Sequence, residues 1–178
     1  MHRIVPSVTT FEQHFDAIEQ SPDVYRPPRC PHCGFSVLWR HGYYHRKADR
    51  VRCAVRSYNP IPICRYCCSG CRRTCSRLPL CIAPRRWYDW TVQQVALQSL
   101  LLGWSPHRCS RCLCFARRTV QRWWRWLNAG SETFTFFLRS RFPEWGRSID
   151  VPAFWRKVLS DMPLANAMAW LDRDLVIP

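Results

Sequence analysis

The stretch Cys64-Arg65-Tyr66-Cys67-Cys68-Ser69-Gly70-Cys71 offers two adjacent CxxC pairs, Cys64/Cys67 and Cys68/Cys71. Upstream, Cys30-Pro31-His32-Cys33-Gly34 supplies a third. Two residues between thiols let one backbone turn present both sulfurs to one metal ion, and glycine lets backbone amides approach the sulfur. Two spaced pairs therefore predict a closed, structural site of four thiolates holding Zn2+. For the second pair, Ser69-Gly70 is a natural tight turn and Arg65-Tyr66 is not. The run Ile61 to Tyr66 also reads as a strand, which places Cys68 just after it. The expected ligands are Cys30, Cys33, Cys68 and Cys71, with Cys64 and Cys67 as the competing second pair.

The chain has twelve cysteines. Met1 to Gln20 has no apolar core followed by small residues, so it does not read as a signal peptide, and a reducing cytosol is expected. There, CxxC pairs favour metal over disulfides. Cys53, Cys75 and Cys81 are expected as small core hydrophobes, and His32 is expected to face solvent. His107, Cys109, Cys112 and Cys114 could hold a second metal, but that segment reads better as helical, with its cysteines at apolar positions. No run of about eighteen apolar residues marks a membrane span.

The formal net charge is +15, and it is unevenly placed. Residues 1–25 hold one arginine against four carboxylates. Residues 26–125 hold twenty Lys and Arg against two acids, Asp49 and Asp89. Residues 126–178 hold six of each sign. A cationic block of this kind suits a polyanion, because each phosphate contact releases counterions. Only Lys47 and Lys157 are lysines. Arginine grips phosphate or a guanine edge with two parallel hydrogen bonds, although a GC-rich codon bias would also enrich it.

The expected fold class is α+β: a small four-cysteine zinc ribbon, then a mostly helical helix-turn-helix module and a helical C-terminal extension. Residues 1–28 read as an acidic N-terminal arm with one short helix through Phe11, Phe15 and Ile18. Residues 29–83 read as the ribbon, with short strands at Ser36–Arg40 and Tyr43–Arg46 around His41-Gly42, and others at Val51–Ser57 and Ile61–Tyr66. Too few apolar residues lie there for an independent core, so metal binding must supply folding free energy.

Residues 84–129 read as the helix-turn-helix. A first helix is expected over Trp87 to Leu102, stopped by Gly103, with Ser105 capping the next and Pro106 at its first position. A second runs to about Cys114, and a third from Ala116 or Arg117 to Ala129. Val120, Trp123 and Leu127 give the third an apolar face, which leaves Arg117, Arg118, Gln121, Arg122 and Arg125 largely on the remaining surface. Such residues near the start of a recognition helix reach the major groove. The plainer reading is a three-helix bundle kept soluble by its arginines. Arg72 and Arg73 would add basic groups beside the second knuckle.

Residues 130–178 are neutral and aromatic-rich, with helices expected at about 131–140 and 151–172, the latter interrupted near Pro163. Packing against the preceding helix is the plainer role, and a homodimer or partner surface the other.

These motifs have a family likeness. Cys30-Pro31-His32-Cys33-Gly34, Arg40-His41-Gly42-Tyr43-Tyr44-His45-Arg46, Arg65-Tyr66-Cys67-Cys68-Ser69-Gly70-Cys71-Arg72-Arg73-Thr74, Gly103-Trp104-Ser105 and Arg118-Thr119-Val120-Gln121-Arg122-Trp123 together resemble a known arrangement. It is the zinc-ribbon plus helix-turn-helix segment of insertion-sequence transposases and their short DNA-binding companions. The resemblance covers about residues 29–128. It implies binding to duplex DNA ends or operators, Zn2+, a recombinase or transposase partner, and a bacterial cytoplasmic, nucleoid-associated setting. Cys75 departs from the pattern, which commonly has an aromatic residue there, and so leaves ligand choice open. The larger departure lies downstream. An acidic-triad transposase needs three carboxylates on an α/β core to hold two metal ions. After Arg125 only Glu132, Glu144, Asp150, Asp161, Asp172 and Asp174 remain, on a segment that does not read as a sheet.

The expected function is therefore a non-enzymatic, zinc-dependent duplex-DNA-binding protein, either a mobile-element regulator or a recognition subunit. One alternative is a transposase or nuclease using Glu144, Asp150 and Asp161. Another is an RNA-binding or protein-bridging ribbon, with Trp39, Tyr43 and Tyr44 stacking on unpaired bases. In a small ribbon such aromatics more often pack the core.

Overall fold

A computed structural model describes residues 3–47, 58–84, 88–148 and 150–175. In chain order the elements are β1 (Ile4–Val5), α1 (Phe11–Gln20), β2 (Leu38–Arg46), β3 (Ile61–Cys68), β4 (Thr74–Cys75), β5 (Leu78–Pro79), α2 (Trp90–Leu101), α3 (Pro106–Cys112), α4 (Arg117–Arg141), α5 (Val151–Asp161) and α6 (Leu164–Leu171). The protein is thus α+β, with small sheets and six α-helices among the described residues. The expected strand Val51–Ser57, Cys53 and the first residue of the expected helix at Trp87 lie outside the described residues. The chain divides into two compact units, Met1–Asp89 with Asp172–Pro178, and Trp90–Leu171.

In the first unit, β2, β3 and β4 form an antiparallel sheet in that order, and β1 pairs in parallel with β5. β3 is buried on both faces over its first half. Cys64, Tyr66 and Cys68 join a cluster with Val5, Val8, Ile18, Tyr25, Cys30, Leu38 and Cys75. Ile61 and Ile63 join Leu78 and Ile82 on the other side. Residues 1–28 supply much of this core rather than hanging from it. Their helix α1 starts in a capping box, with the Gln13 N–H donating to Thr10 Oγ1 and the Thr10 N–H donating to Gln13 Oε1. It buries His14 and Ile18, while Phe11 and Phe15 pack on the Tyr58 ring at 5.0 and 5.9 Å. At the other end of the chain, Asp172 is buried and accepts the Ile4 N–H at 2.8 Å.

Two short strands were expected around His41-Gly42; instead β2 is one strand of nine residues. The register shifts between Arg40 and Tyr43. Gly42 has φ +70°, a conformation glycine adopts without steric cost, so the chain absorbs a bulge and continues pairing instead of turning back.

In the second unit, α2 ends in a paired glycine stop. Gly103 has φ +87°, its N–H donates to Leu100 O, and the Trp104 N–H donates to Ser99 O. Ser105 then caps α3 by accepting the Arg108 N–H at 3.2 Å, with Pro106 at the first position. The third helix differs from expectation. It does not stop at Ala129 but runs unbroken for 25 residues. Gly130 sits inside it because the Phe134 ring occupies the space a side chain would need, 2.3 Å from where a Cβ would lie. The chain then breaks at Pro163 as expected, and α5 and α6 pack on α2 and α4. Phe134, Trp145, Phe154 and Trp155 are buried, and the Trp155 indole N–H donates to Ser131 Oγ at 3.2 Å. Phe137, Phe142 and Trp170 are half-buried, and Phe136 is exposed. No helix among the described residues is long and apolar enough to cross a membrane.

Candidate metal centre and basic helix face

The sulfurs of Cys30, Cys33, Cys68 and Cys71 all lie within 4.8 Å of one another. Cys30 Sγ is 3.6 Å from Cys71 Sγ, and Cys33 Sγ is 3.6 Å from Cys68 Sγ. Metal–thiolate bonds of about 2.3 Å in a tetrahedron separate the sulfurs by about 3.8 Å. The spacing and the donor set fit one four-coordinate metal ion.

Local backbone geometry makes the cluster. Cys30-Pro31-His32-Cys33-Gly34 closes a turn in which the Gly34 N–H donates to Cys30 O at 2.9 Å, and Gly34 takes φ +76°. The His32 N–H donates to Cys30 Sγ at 3.4 Å, while His32 itself is exposed. On the other side, β3 ends at Cys68 and Ser69-Gly70 turns the chain to Cys71. The Arg72 N–H returns to Cys68 O at 3.0 Å with Arg72 at φ +60°. The Ser69 N–H and hydroxyl both donate to Val37 O, which binds the two turns together.

Cys30 and Cys33 are shifted in opposite directions. Burial would raise Cys30, but N–H donors from His32 and Cys33 and the thiols of Cys71 and Cys68 outweigh it, and Cys30 falls to about 7. For Cys33 a backbone N–H from Phe35 acts downward. Burial and the sulfurs of Cys68, Cys71 and Cys30 outweigh it and push Cys33 up to about 11. Opposite shifts of this kind are the pattern of thiols crowded around one position.

The competing pair is not at this site. A strand points residues three apart to opposite faces, so Cys64 and Cys67 cannot chelate together while β3 stays extended. Cys64 is buried in the core, and the Cys67 thiol donates to Arg72 O at 3.6 Å. Cys75 lies near the cluster, but its thiol donates to Tyr66 O at 3.7 Å, and burial first, then the neighbouring sulfurs, raise it to about 11. As for the second candidate cluster, Cys109 is fully buried while Cys112 and Cys114 are exposed. Among the described residues these do not converge with His107 on a metal position.

In the second unit, Val120, Trp123 and Leu127 of α4 are buried. Arg117, Arg118, Arg122 and Arg125 are exposed, and Gln121 is half-buried. These five recur over two turns on one side of the helix, next to the four-residue turn from α3. Arg72 and Arg73 are exposed too, but belong to the first unit, beside its cysteine cluster.

One surface feature runs against the expectation that ribbon aromatics pack inward. Tyr44 is half-buried, but Trp39, in the body of β2, is 65% exposed. Its cross-strand partner is Cys67. Residues 30–47 and 58–84 contain no carboxylate.

No protein-family model, curated protein or solved structure gives a significant match to the chain.

Proposed function

We propose that this chain is a zinc-dependent duplex-DNA-binding protein, built from a four-cysteine zinc ribbon and a helix-turn-helix whose recognition helix is the first half of α4. The observation that carries the reading is the face formed by Arg117, Arg118, Gln121, Arg122 and Arg125, opposite the buried Val120, Trp123 and Leu127. A helix anchored on one side and lined with guanidinium groups on the other suits the major groove, where arginine reads guanine and grips phosphate. Tetrahedral all-thiolate geometry favours zinc, which has no redox chemistry of its own. The ion would be held by Cys30, Cys33, Cys68 and Cys71 and would supply folding free energy, and Arg72 and Arg73 would add phosphate contacts.

The role without catalysis draws support from the carboxylates. Asp150 caps α5 by accepting the Ala153 N–H at 2.6 Å. Asp161 accepts the Trp145 indole N–H at 2.8 Å and pairs with Lys157. Both have structural work, and their partners lie within one small helical region. The wider reading is a mobile-element regulator or recognition subunit in a bacterial cytoplasm, acting alone, as a homodimer or with a recombinase.

The test is selection of bound sequences from random duplex DNA with the zinc-loaded chain at fixed salt. Enrichment of a defined site is expected. Retention no better than that of a neutral protein at the same salt would overturn the reading.

A further inference from the structure

The exposed tryptophan of β2 is set in unusual surroundings. Phe35, Val37 and Trp39 are all exposed, Trp39 in β2 and the other two in the segment that leads into it. Phe35 stands at the cysteine cluster, over Gly70; a Cβ at Gly70 would stand 3.4 Å from the ring. Trp39 stands opposite Cys67. On the Cys67 side of β3, two residues along, Arg65 lies over the half-buried Tyr44 ring at 5.5 Å. Arg72 and Arg73 are exposed at the turn beyond β3. The carboxylate that influences Cys64 and Tyr66, Asp23, is associated with the opposite face of that strand.

Two exposed aromatics four residues apart, cations beside them and no acid in the strands are a poor design for a solvated surface. They are a good one for a chain that carries both flat π-faces and phosphates. We infer that this side of the sheet binds single-stranded DNA, with unpaired bases stacking on Trp39 and Phe35 and with Arg65, Arg72 and Arg73 taking the phosphates. Stacking tolerates any base, so the site would be indifferent to sequence, unlike the α4 face proposed for duplex DNA. The occupant fits by charge, because residues 30–47 and 58–84 hold seven Lys and Arg and no carboxylate, which outweighs the four thiolates around a divalent ion. This inference goes beyond the duplex-binding reading; the two share only Arg72 and Arg73, and the stacking residues Trp39 and Phe35 are separate from the α4 face.

The test measures binding of the full zinc-loaded chain to a dT oligonucleotide and to a random-sequence duplex at one salt concentration. Trp39→Ala is expected to weaken dT binding roughly 5- to 150-fold, the range for loss of one stacked base. Trp39→Phe should restore most of it, and neither variant should change zinc content or duplex affinity. Photocrosslinking of wild-type protein to a bromouracil oligonucleotide should place the adduct at Trp39 or Phe35. Equal dT affinity of wild type and Trp39→Ala overturns the inference. So does wild-type protein that fails to bind dT, whether it binds oligo-U RNA or neither strand. Arg118→Ala provides the separation: if it loses duplex affinity and keeps dT binding, the two sites are independent. If Arg118→Ala and Arg122→Ala bind duplex like wild type while Trp39→Ala loses dT, only the α4 reading falls.

Discussion

Cys67 and Cys68 are adjacent in the chain and face opposite sides of β3. Cys68 is buried with its sulfur 3.6 Å from Cys33, whereas Cys67 is half-buried opposite Trp39. The strand's two-residue period thereby chooses between two CxxC pairs that the spacing alone leaves equal. Cys68→Ser and Cys71→Ser are predicted to lose zinc on dialysis, while Cys67→Ser keeps one zinc per chain. Elemental analysis of the purified variants checks this, and full zinc retention by Cys68→Ser would show the pair to be wrongly chosen.

Metal removal should act unequally on the two units. The first has small sheets closed by the cysteine cluster, whereas the second has its own core of Trp123, Leu127, Phe154 and Trp155. Ion binding at a structural four-thiolate site is worth on the order of 10 kcal/mol of folding free energy. A strong chelator is therefore predicted to abolish amide protection in β2 and β3 while α2, α4 and α5 stay protected. Hydrogen exchange resolved by segment measures it; equal loss in both units would contradict it.

His14 predicts a pH dependence. Its ring is buried, with Nε2 2.9 Å from Pro62 O and Nδ1 2.6 Å from the Tyr25 hydroxyl. Nε2–H donating to the carbonyl leaves Nδ1 to accept from Tyr25, an arrangement that needs the neutral ring. Burial lowers the His14 pKa below 6.5, and the Pro62 carbonyl only partly offsets it. The unfolded chain then binds more protons than the folded one, so stability is full above about pH 6.5 and is lost as pH falls through the folded value. His14→Gln should remove this increment of acid sensitivity. Urea midpoints at several pH values test it, with the metal's own pH dependence common to both proteins. Parallel curves for the two would exclude the effect.

Gly130→Ala is predicted to destabilise the protein by about 1–2 kcal/mol, opposite in sign to the helix-propensity gain of about 1 kcal/mol. The Phe134 ring fills the position, and Phe134 is itself buried. Thermal or urea unfolding decides between the two signs. A stabilised variant would mean that the ring moves aside freely.

Much of this fold could be read from short-range chemistry. Gly103, Ser105 and Pro106 mark the α2–α3 junction because each acts on its own or an adjacent backbone group. The four cysteines are legible because the turn that brings each pair together is local. Features set by distant partners were hidden. The continuity of α4 past Ala129 depends on Phe134 and Trp155 covering its later turns. Likewise, β2 stays whole through Gly42 because β3 pairs on both sides of the bulge. Residues 1–28 look like a polar arm by charge, yet Ile4, Val5, Val8, Ile18 and Tyr25 are core. Their role depends on β5 and Asp172, far along the chain. Arg117, Arg118, Arg122 and Arg125 were placed by periodicity alone, because a buried stripe on a helix fixes what the other side exposes.

Binding of duplex DNA by the arginine face of α4 is tested by equilibrium binding of Arg118→Ala and Arg122→Ala to a selected duplex at fixed salt. Each is predicted to lose about 1–3 kcal/mol where the side chain reads a base, with zinc content and unfolding midpoint unchanged. Affinities equal to wild type for both variants would contradict the account.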